Sequence, residues 1–285
     1  MKLIIQKAGL FTTVQDQGRF GYEAYAVPVS GVMDKKAARR ANLLLGNDEN
    51  QAVIEMTLIG PEIMFTAKAQ FCITGGNLSP KLNNTPIQNE KVIHASAHDV
   101  LSFGAAIEGC RAYLAIAGEL LVPQVMASKS TYTYGGFGGY KGRILENGDE
   151  IRLHTVIREE RKYFEYLSHE EHQSSIRLIK GPEFELFSKE DQIKLVSKLY
   201  RLSSSSNRMG LRLEGECLPS VQQTSIISSP LIPGTIQVPP SGMPIIAMYD
   251  SGTMGGYPRI AVVCEEDMNL LAQGKPHDTF RFSWY

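Results

Sequence analysis

With 285 residues, 43% of them hydrophobic and 21% charged, the chain has a globular composition that suits one large domain or two of ordinary size. A net charge of −1 gives no basic surface for nucleic acid or an anionic membrane, so neither is an expected partner. No apolar run reaches the roughly 18 residues of a membrane helix, and the opening Lys2-Leu3-Ile4-Ile5 does not read as a signal peptide, so a cytoplasmic protein is expected.

In chain order, Lys2–Gln6 reads as a strand. The polar string TTVQDQGRFGY (12–22) and AVPVSGVMD (26–34) follow it. They set Asp16, Arg19 and Asp34 among Gly18, Gly21 and Gly31, poor material for a core and good material for binding loops. Asp34 can cap a helix that has Ala37, Ala38, Ala41, Leu44 and Leu45 on one side and Gly46 just past its end. Short Ile/Val/Phe-rich runs come next: Ala52–Met56, Glu62–Ala67, Gln70–Thr74, Lys91–His94, Asp99–Phe103, Cys110–Ala117 and Glu150–His154. The glycine-rich GGFGGYKG (135–142) lacks phosphate-loop spacing. It reads either as an anion cradle with Lys141 or Arg143 nearby or as a tight turn. A charged stretch, 157–175, reads as a solvated connector.

Beyond it lie strands at Ser175–Lys180, Arg201–Leu202, Arg212–Glu214, Gly234–Val238, Pro244–Tyr249, Ile260–Cys264 and Thr279–Ser283. Ser188 can cap a helix over Lys189–Leu199 with Ile193, Leu195, Val196 and Leu199 inward, and Glu265–Ala272 is a third helix. Weak echoes, such as LIGPEIMF (58–65) against LIKGPEFELF (178–187), suggest two related β-rich halves. The expected division is 1–156, the connector 157–175, and 176–285, with the N-terminal strand crossing over to complete the second half. Cys72, Cys110, Cys217 and Cys264 form no CxxC and read as free thiols in a reducing compartment. The pairs His94/His98 and His169/His172 lack metal-ligand spacing, and no metal site is expected.

Two later segments carry chemistry. In GTIQVPPSGMPIIAMYDSGTMGGYPRIAVV (234–263), Asp250 ends an apolar strand ahead of a glycine-rich turn. It reads as a base or substrate-orienting group, or as an Asp closing its own turn. In SNRMGLRLEG (206–215), Arg208 reads as a fork for carboxylate or phosphate, or as a surface partner of Glu214 or Glu216.

These segments, with IEMTLIGPEIMF (54–65), the Asn42 to Asn47 helix end, CRAYLAIAG (110–118) and SKST (128–131), run in order through nearly the whole chain. Together they resemble the family of 5-oxoprolinase C subunits, KipI antagonists and the second subunits of allophanate hydrolase, which is also the C-terminal half of the urea carboxylase carboxyltransferase domain. One departure is Glu119, where the family often has a second glycine after the YLA strand.

The resemblance implies a mainly β fold of two tandem cyclophilin-like β-barrels with a few short helices. It implies a KipI-like partner, the B subunit of 5-oxoprolinase, that joins this chain in activating 5-oxoproline with ATP and Mg²⁺. The A subunit would then open the ring to L-glutamate. A lactam is a poor electrophile, and phosphorylating its oxygen creates a leaving group, a step that needs cations and N–H donors. On that chemistry Asp16, Asp34 and Asp250 are the expected catalytic carboxylates. Arg19, Ser30, Gly31, Arg208, Met209, Gly210, Gln237, Thr253, Gly255, Gly256 and Tyr257 are expected to bind substrate or phosphate. Two alternatives stand beside it. One is a regulator that antagonises a KipI-like kinase inhibitor; the other is a carboxyltransferase using biotin on a separate carrier.

Overall fold

The computed structural model describes residues 1–157, 175–221 and 226–285. The fold is mainly β, and the described residues include three short α-helices: α1 (Lys35–Leu44), α2 (Lys189–Ser197) and α3 (Met268–Ala272). The chain divides into two compact units, Met1–Arg19 with Ser30–His169 and Phe20–Val29 with Glu170–Tyr285. The expected connector lies outside the described residues except at its two ends, 157 and 175.

The first unit contains two sheets. One has seven strands in the order Gly118–Leu120, Glu150–Thr155, Lys2–Lys7, Glu62–Phe65, Val100–Ser102, Lys81–Leu82 and Thr85–Pro86. The other orders Phe11–Gln15, Val53–Thr57, Glu108–Ile116, Ala69–Asn77 and Ile93–Ala95. The middle strands of the second sheet are buried along most of their length because both faces are covered. Ile54, Met56, Phe71, Ile73 and Leu114 join the main core, whereas the alternate residues Val53, Cys72, Tyr113 and Ala115 pack with Ala37, Ala38 and Ala41 of α1. The N-terminal strand does not cross to the second unit. Leu3 pairs with Ile151 on one side and Phe65 on the other, and its alternating Leu3 and Ile5 are wholly buried in this sheet.

The α1 boundaries follow the sequence signals. Asp34 accepts a hydrogen bond from Ala37 N at 2.9 Å, and Gly46 follows the helix with φ +67°. Buried Asn47 then ties the helix end to the sheet. Its Nδ2 donates to Ile116 O (2.8 Å) and Asn42 Oδ1 (3.1 Å), and its Oδ1 accepts from Gly118 N (3.2 Å). Asn47→Ala is expected to cost about 2–3 kcal/mol by removing bonds from buried backbone groups, measured as a shift of the urea midpoint at unchanged slope.

The second unit holds a closed barrel of Ile176–Lys180, Arg259–Val263, Thr235–Gln237, Ile245–Ala247, Gly210–Glu214, Leu199–Leu202 and Thr279–Trp284. The last strand closes the ring by lying parallel to the first, with Ile176 opposite Phe282. Period-two alternation sets the faces: Tyr200, Leu202, Leu211, Leu213 and Phe282 are buried, while Leu199 is 53% exposed. The cap of α2 is the expected one, Ser188 accepting from Asp191 N. Its inward face differs in part: Leu195 is buried as expected, but so are Asp191 and Gln192, while Ile193 and Leu199 are exposed and Leu199 begins the next strand. Hydrogen bonding explains the burial of the two polar residues. Asp191 accepts from Ser220 N (2.9 Å), and Gln192 Nε2 donates to Phe184 O (3.2 Å) and Phe187 O (2.9 Å).

Candidate functional site

The polar string at the front of the chain is half strand and half loop. Thr12, Thr13, Val14 and Gln15 form a buried strand, contrary to their reading as loop. Asp16 follows it and is a pin. One carboxylate oxygen accepts from Gly18 N (2.9 Å), Ser128 Oγ (2.7 Å) and Ser130 Oγ, and the other accepts from Lys129 N. Asp16 thus holds the SKST segment against its own turn. Arg19 is 1% exposed, donates from Nη2 to Ser130 O and lies 4.9 Å from the centroid of the Phe137 ring. Gly31 is required here: its φ is +89°, and a Cβ would stand 2.7 Å from Gly18 N and 2.9 Å from Asp16 O. Ser30 beside it has φ +54° and a wholly buried side chain.

Glu119 now has a reason. It pairs with the nearly buried Lys129, whose Nζ also donates to Leu120 O at 2.9 Å. The hydrogen bond from Lys129 holds the Glu119 carboxyl below its usual range. The GGFGGYKG loop is a tight turn. Added Cβ atoms would strike Ser130 O at Gly138, the Thr131 side chain at Gly139 and the Gly136 carbonyl at Gly142. Arg143 is held by Asp149 through two bonds of 2.7 and 2.8 Å, and that pairing lowers the Asp149 carboxyl. Asp34, the cap of α1, is buried, and its N–H donates to Tyr113 Oη at 2.8 Å. Burial, and then the neighbouring Glu55 and Asp34, push the Tyr113 hydroxyl well above its ordinary range. Glu55 accepts from Met33 N at 2.8 Å.

In the second unit Arg208 and Asp250 form a buried pair, with Nε to Oδ2 at 2.7 Å and Nη2 to Oδ1 at 3.2 Å. Backbone bonds from Asp250 N to Arg208 O and from Met248 N to Met209 O, each 3.0 Å, fix the two segments side by side. Glu214, one expected surface partner of Arg208, pairs instead with Arg201 at 2.7 Å. Beside this pair in sequence opens a cleft of about 480 Å³ lined by Met209, Leu231, Gln237, Ile245, Ala247, Ser251, Gly252 and the run Met254 to Tyr257. Its size suits a small molecule, and no lining residue carries a charged side chain.

Of the residues singled out from sequence, Met209, Gln237, Gly255, Gly256 and Tyr257 meet in this cleft. Gly210 packs on Ile245, and Thr253 accepts from Leu231 N at 2.9 Å; neither lines the cleft, nor do Arg208 and Asp250. Asp16 and Arg19 bond to the SKST segment of the first unit, and Gly31 packs against the backbone of Asp16 and Gly18, next to Ser30 in sequence. Ser128, Lys129 and Ser130 were not singled out as site residues, although a polar run so dense signals backbone capping. Leu231 and Met254 carry no chemical signal; only the fold brings them to the cleft.

For a triphosphate with a divalent ion, this cleft is a poor fit. Among the described residues no three His, Cys, Asp or Glu side chains cluster as a metal site, and the cleft walls are uncharged. Arg19, Arg143 and Arg208 are each committed to a carbonyl or carboxylate. No helix of the described residues is long and apolar enough to cross a membrane.

Gly255 sits against the Gln237 carboxamide, where an added Cβ would crowd Nε2. Because that contact is the end of a side chain, Gly255→Ala should fold with its Tm within about 2 °C of wild type. It should weaken ligand binding in the cleft severalfold, read by calorimetry.

Residues 25–284 match the family model described as carboxyltransferase domain, subdomain A and B. The 5-oxoprolinase C subunit of Escherichia coli is 38% identical over 95% of this chain and 87% of its own length. That of Haemophilus influenzae is 35% identical over 95% and 87%. The urea amidolyase structure of K. lactis is 30% identical with a TM-score of 0.90, covering 99% of this chain but only 18% of that one. This chain thus belongs to the carboxyltransferase-domain family, subdomain A and B, that includes the 5-oxoprolinase C subunits.

Proposed function

We propose that this chain is the C subunit of an ATP-dependent 5-oxoprolinase, a cytoplasmic heteromer that activates 5-oxoproline for ring opening to L-glutamate. The observation that carries this reading is the match to proteins named as 5-oxoprolinase C subunits, which spans 95% of this chain and 87% of the E. coli protein. The match to urea amidolyase uses less than a fifth of that chain. In this reading the uncharged cleft receives the lactam, and Asp16 and Asp250 hold the loops around their sites in position. The ATP and its Mg²⁺ fall to the KipI-like B subunit, or to a surface completed by it, because the cleft beside Gln237 carries no charged side chain and the described residues hold no cluster of three metal-binding side chains. The A subunit then opens the ring.

A second reading, a carboxyltransferase working on a biotinylated carrier, is favoured by the family description and the likeness to K. lactis urea amidolyase. The test measures glutamate from 5-oxoproline, ATP and Mg²⁺ in a mixture of this chain with the A and B subunits, omitting each in turn. Glutamate that requires this chain is the expected result. Carboxyl transfer that avidin blocks, with no glutamate formed, would establish the second reading. An intact complex with the KipI-like partner and neither reaction would leave the regulatory role.

A further inference from the structure

We infer that Gln237 is the residue that reads the amide edge of the substrate. This inference rests on the reading that the cleft receives a lactam. Gln237 ends the strand Thr235–Gln237 and is only 9% exposed, yet its side chain lines the cleft. The strand pairing shifts at this residue: Ile236 lies opposite Ala261, and Gln237 lies opposite Arg259. A bulge of this kind bends a strand and re-aims a side chain, and bulges gather beside binding sites. Gly255 leaves room for the carboxamide where any Cβ would press on Nε2.

The carboxamide is underused by the protein. Nε2 makes one long bond, to Tyr257 O at 3.4 Å. Among the described residues its second N–H and Oε1 have no hydrogen-bond partner. A carboxamide that lines a cleft with a donor and an acceptor to spare can pair with a ligand that carries the matching acceptor and donor. A ring amide supplies it, because the ring holds N–H and C=O on one side. Two antiparallel bonds would then form, ring N–H to Oε1 and Nε2 to ring C=O. The cleft walls carry no charged side chain, so the neutral amide end of the molecule enters and its carboxylate stays outside.

The experiment is calorimetric titration of the full chain, alone and in the assembly with its partner subunits. The probes are 5-oxoproline, its ring-oxygen lactone analogue and 2-imidazolidinone. The expected result is that wild type prefers the lactam to the lactone by about tenfold, the worth of one good hydrogen bond. Gln237→Met should lose about tenfold in lactam affinity together with that preference. Gln237→Glu, which keeps an acceptor but has no N–H, should also fall below wild type. Equal binding of lactam and lactone by wild type would overturn the inference without recourse to any variant. So would a preference that survives in Gln237→Met, or the failure of all three probes to bind. Gln237-dependent binding of 2-imidazolidinone without binding of 5-oxoproline would uphold the role of Gln237 and overturn the oxoprolinase reading.

Discussion

Asp250→Ala is expected to destabilise the protein by about 3–5 kcal/mol, because it strips a carboxylate from an arginine that folding has already taken out of water. Asp250 is 1% exposed and Arg208 6%, and the two share two hydrogen bonds. Removing one member of such a pair leaves the desolvation cost of the other. Replacing both by apolar residues of similar volume removes that cost. Arg208→Met with Asp250→Leu should therefore recover most of the stability lost in either single variant. A double variant as unstable as the singles, judged by thermal melting, would show that the pair is not the source of the loss. Activity separates position from chemistry. If the pair only shapes the cleft, the double variant should retain ligand binding within about tenfold.

Asp16→Ala is the second large effect, expected at about 3–4 kcal/mol. Four donors converge on this carboxylate: the N–H groups of Gly18 and Lys129 and the hydroxyls of Ser128 and Ser130. Bonds to an ionised acceptor are worth more than neutral ones, and the backbone donors have no second geometry available. The readout that identifies the mechanism is local. Amide hydrogen exchange at Gly18 and Lys129 should quicken by orders of magnitude, while amides of the strand Gly210–Glu214 in the other unit keep their protection. Asp16→Asn, with one acceptor oxygen, should fall between. Unchanged exchange at Lys129 would rule out the pin.

Much of the β architecture was legible, because alternation and turn residues are local signals. Asp34 with Gly46 bounded α1, and Ser188 opened α2. The misreadings have physical causes. Thr12, Thr13 and Gln15 looked like loop because they are polar, but the strand buries them with their side chains hydrogen-bonded, as Thr12 Oγ1 to Ala8 O and Gln15 Nε2 to Thr131 O show. The inward face of α2 holds at buried Leu195 and differs at Ile193 for the same reason, since satisfied Asp191 and Gln192 take the buried positions. The GGFGGYKG segment forms a tight turn, and the close approach of its backbone is a tertiary fact that no local pattern carries. In the candidate site, the sequence supplied the chemical groups and left their grouping open. Gln237, Gly255 and Tyr257 stand up to twenty positions apart, and only strand pairing brings them to one cleft.

The assignment of Phe20–Val29 to the second unit, between two stretches of the first, has a consequence for synthesis. This segment leaves the ribosome before nearly all of the first unit and long before residues 176–285. The second unit therefore cannot finish until its last strand, Thr279–Trp284, has been made, and its earliest piece must wait for it. Neither unit can be excised as one continuous stretch of the gene. Recombination at the boundary between the halves would give two products, each missing or carrying a piece of the other.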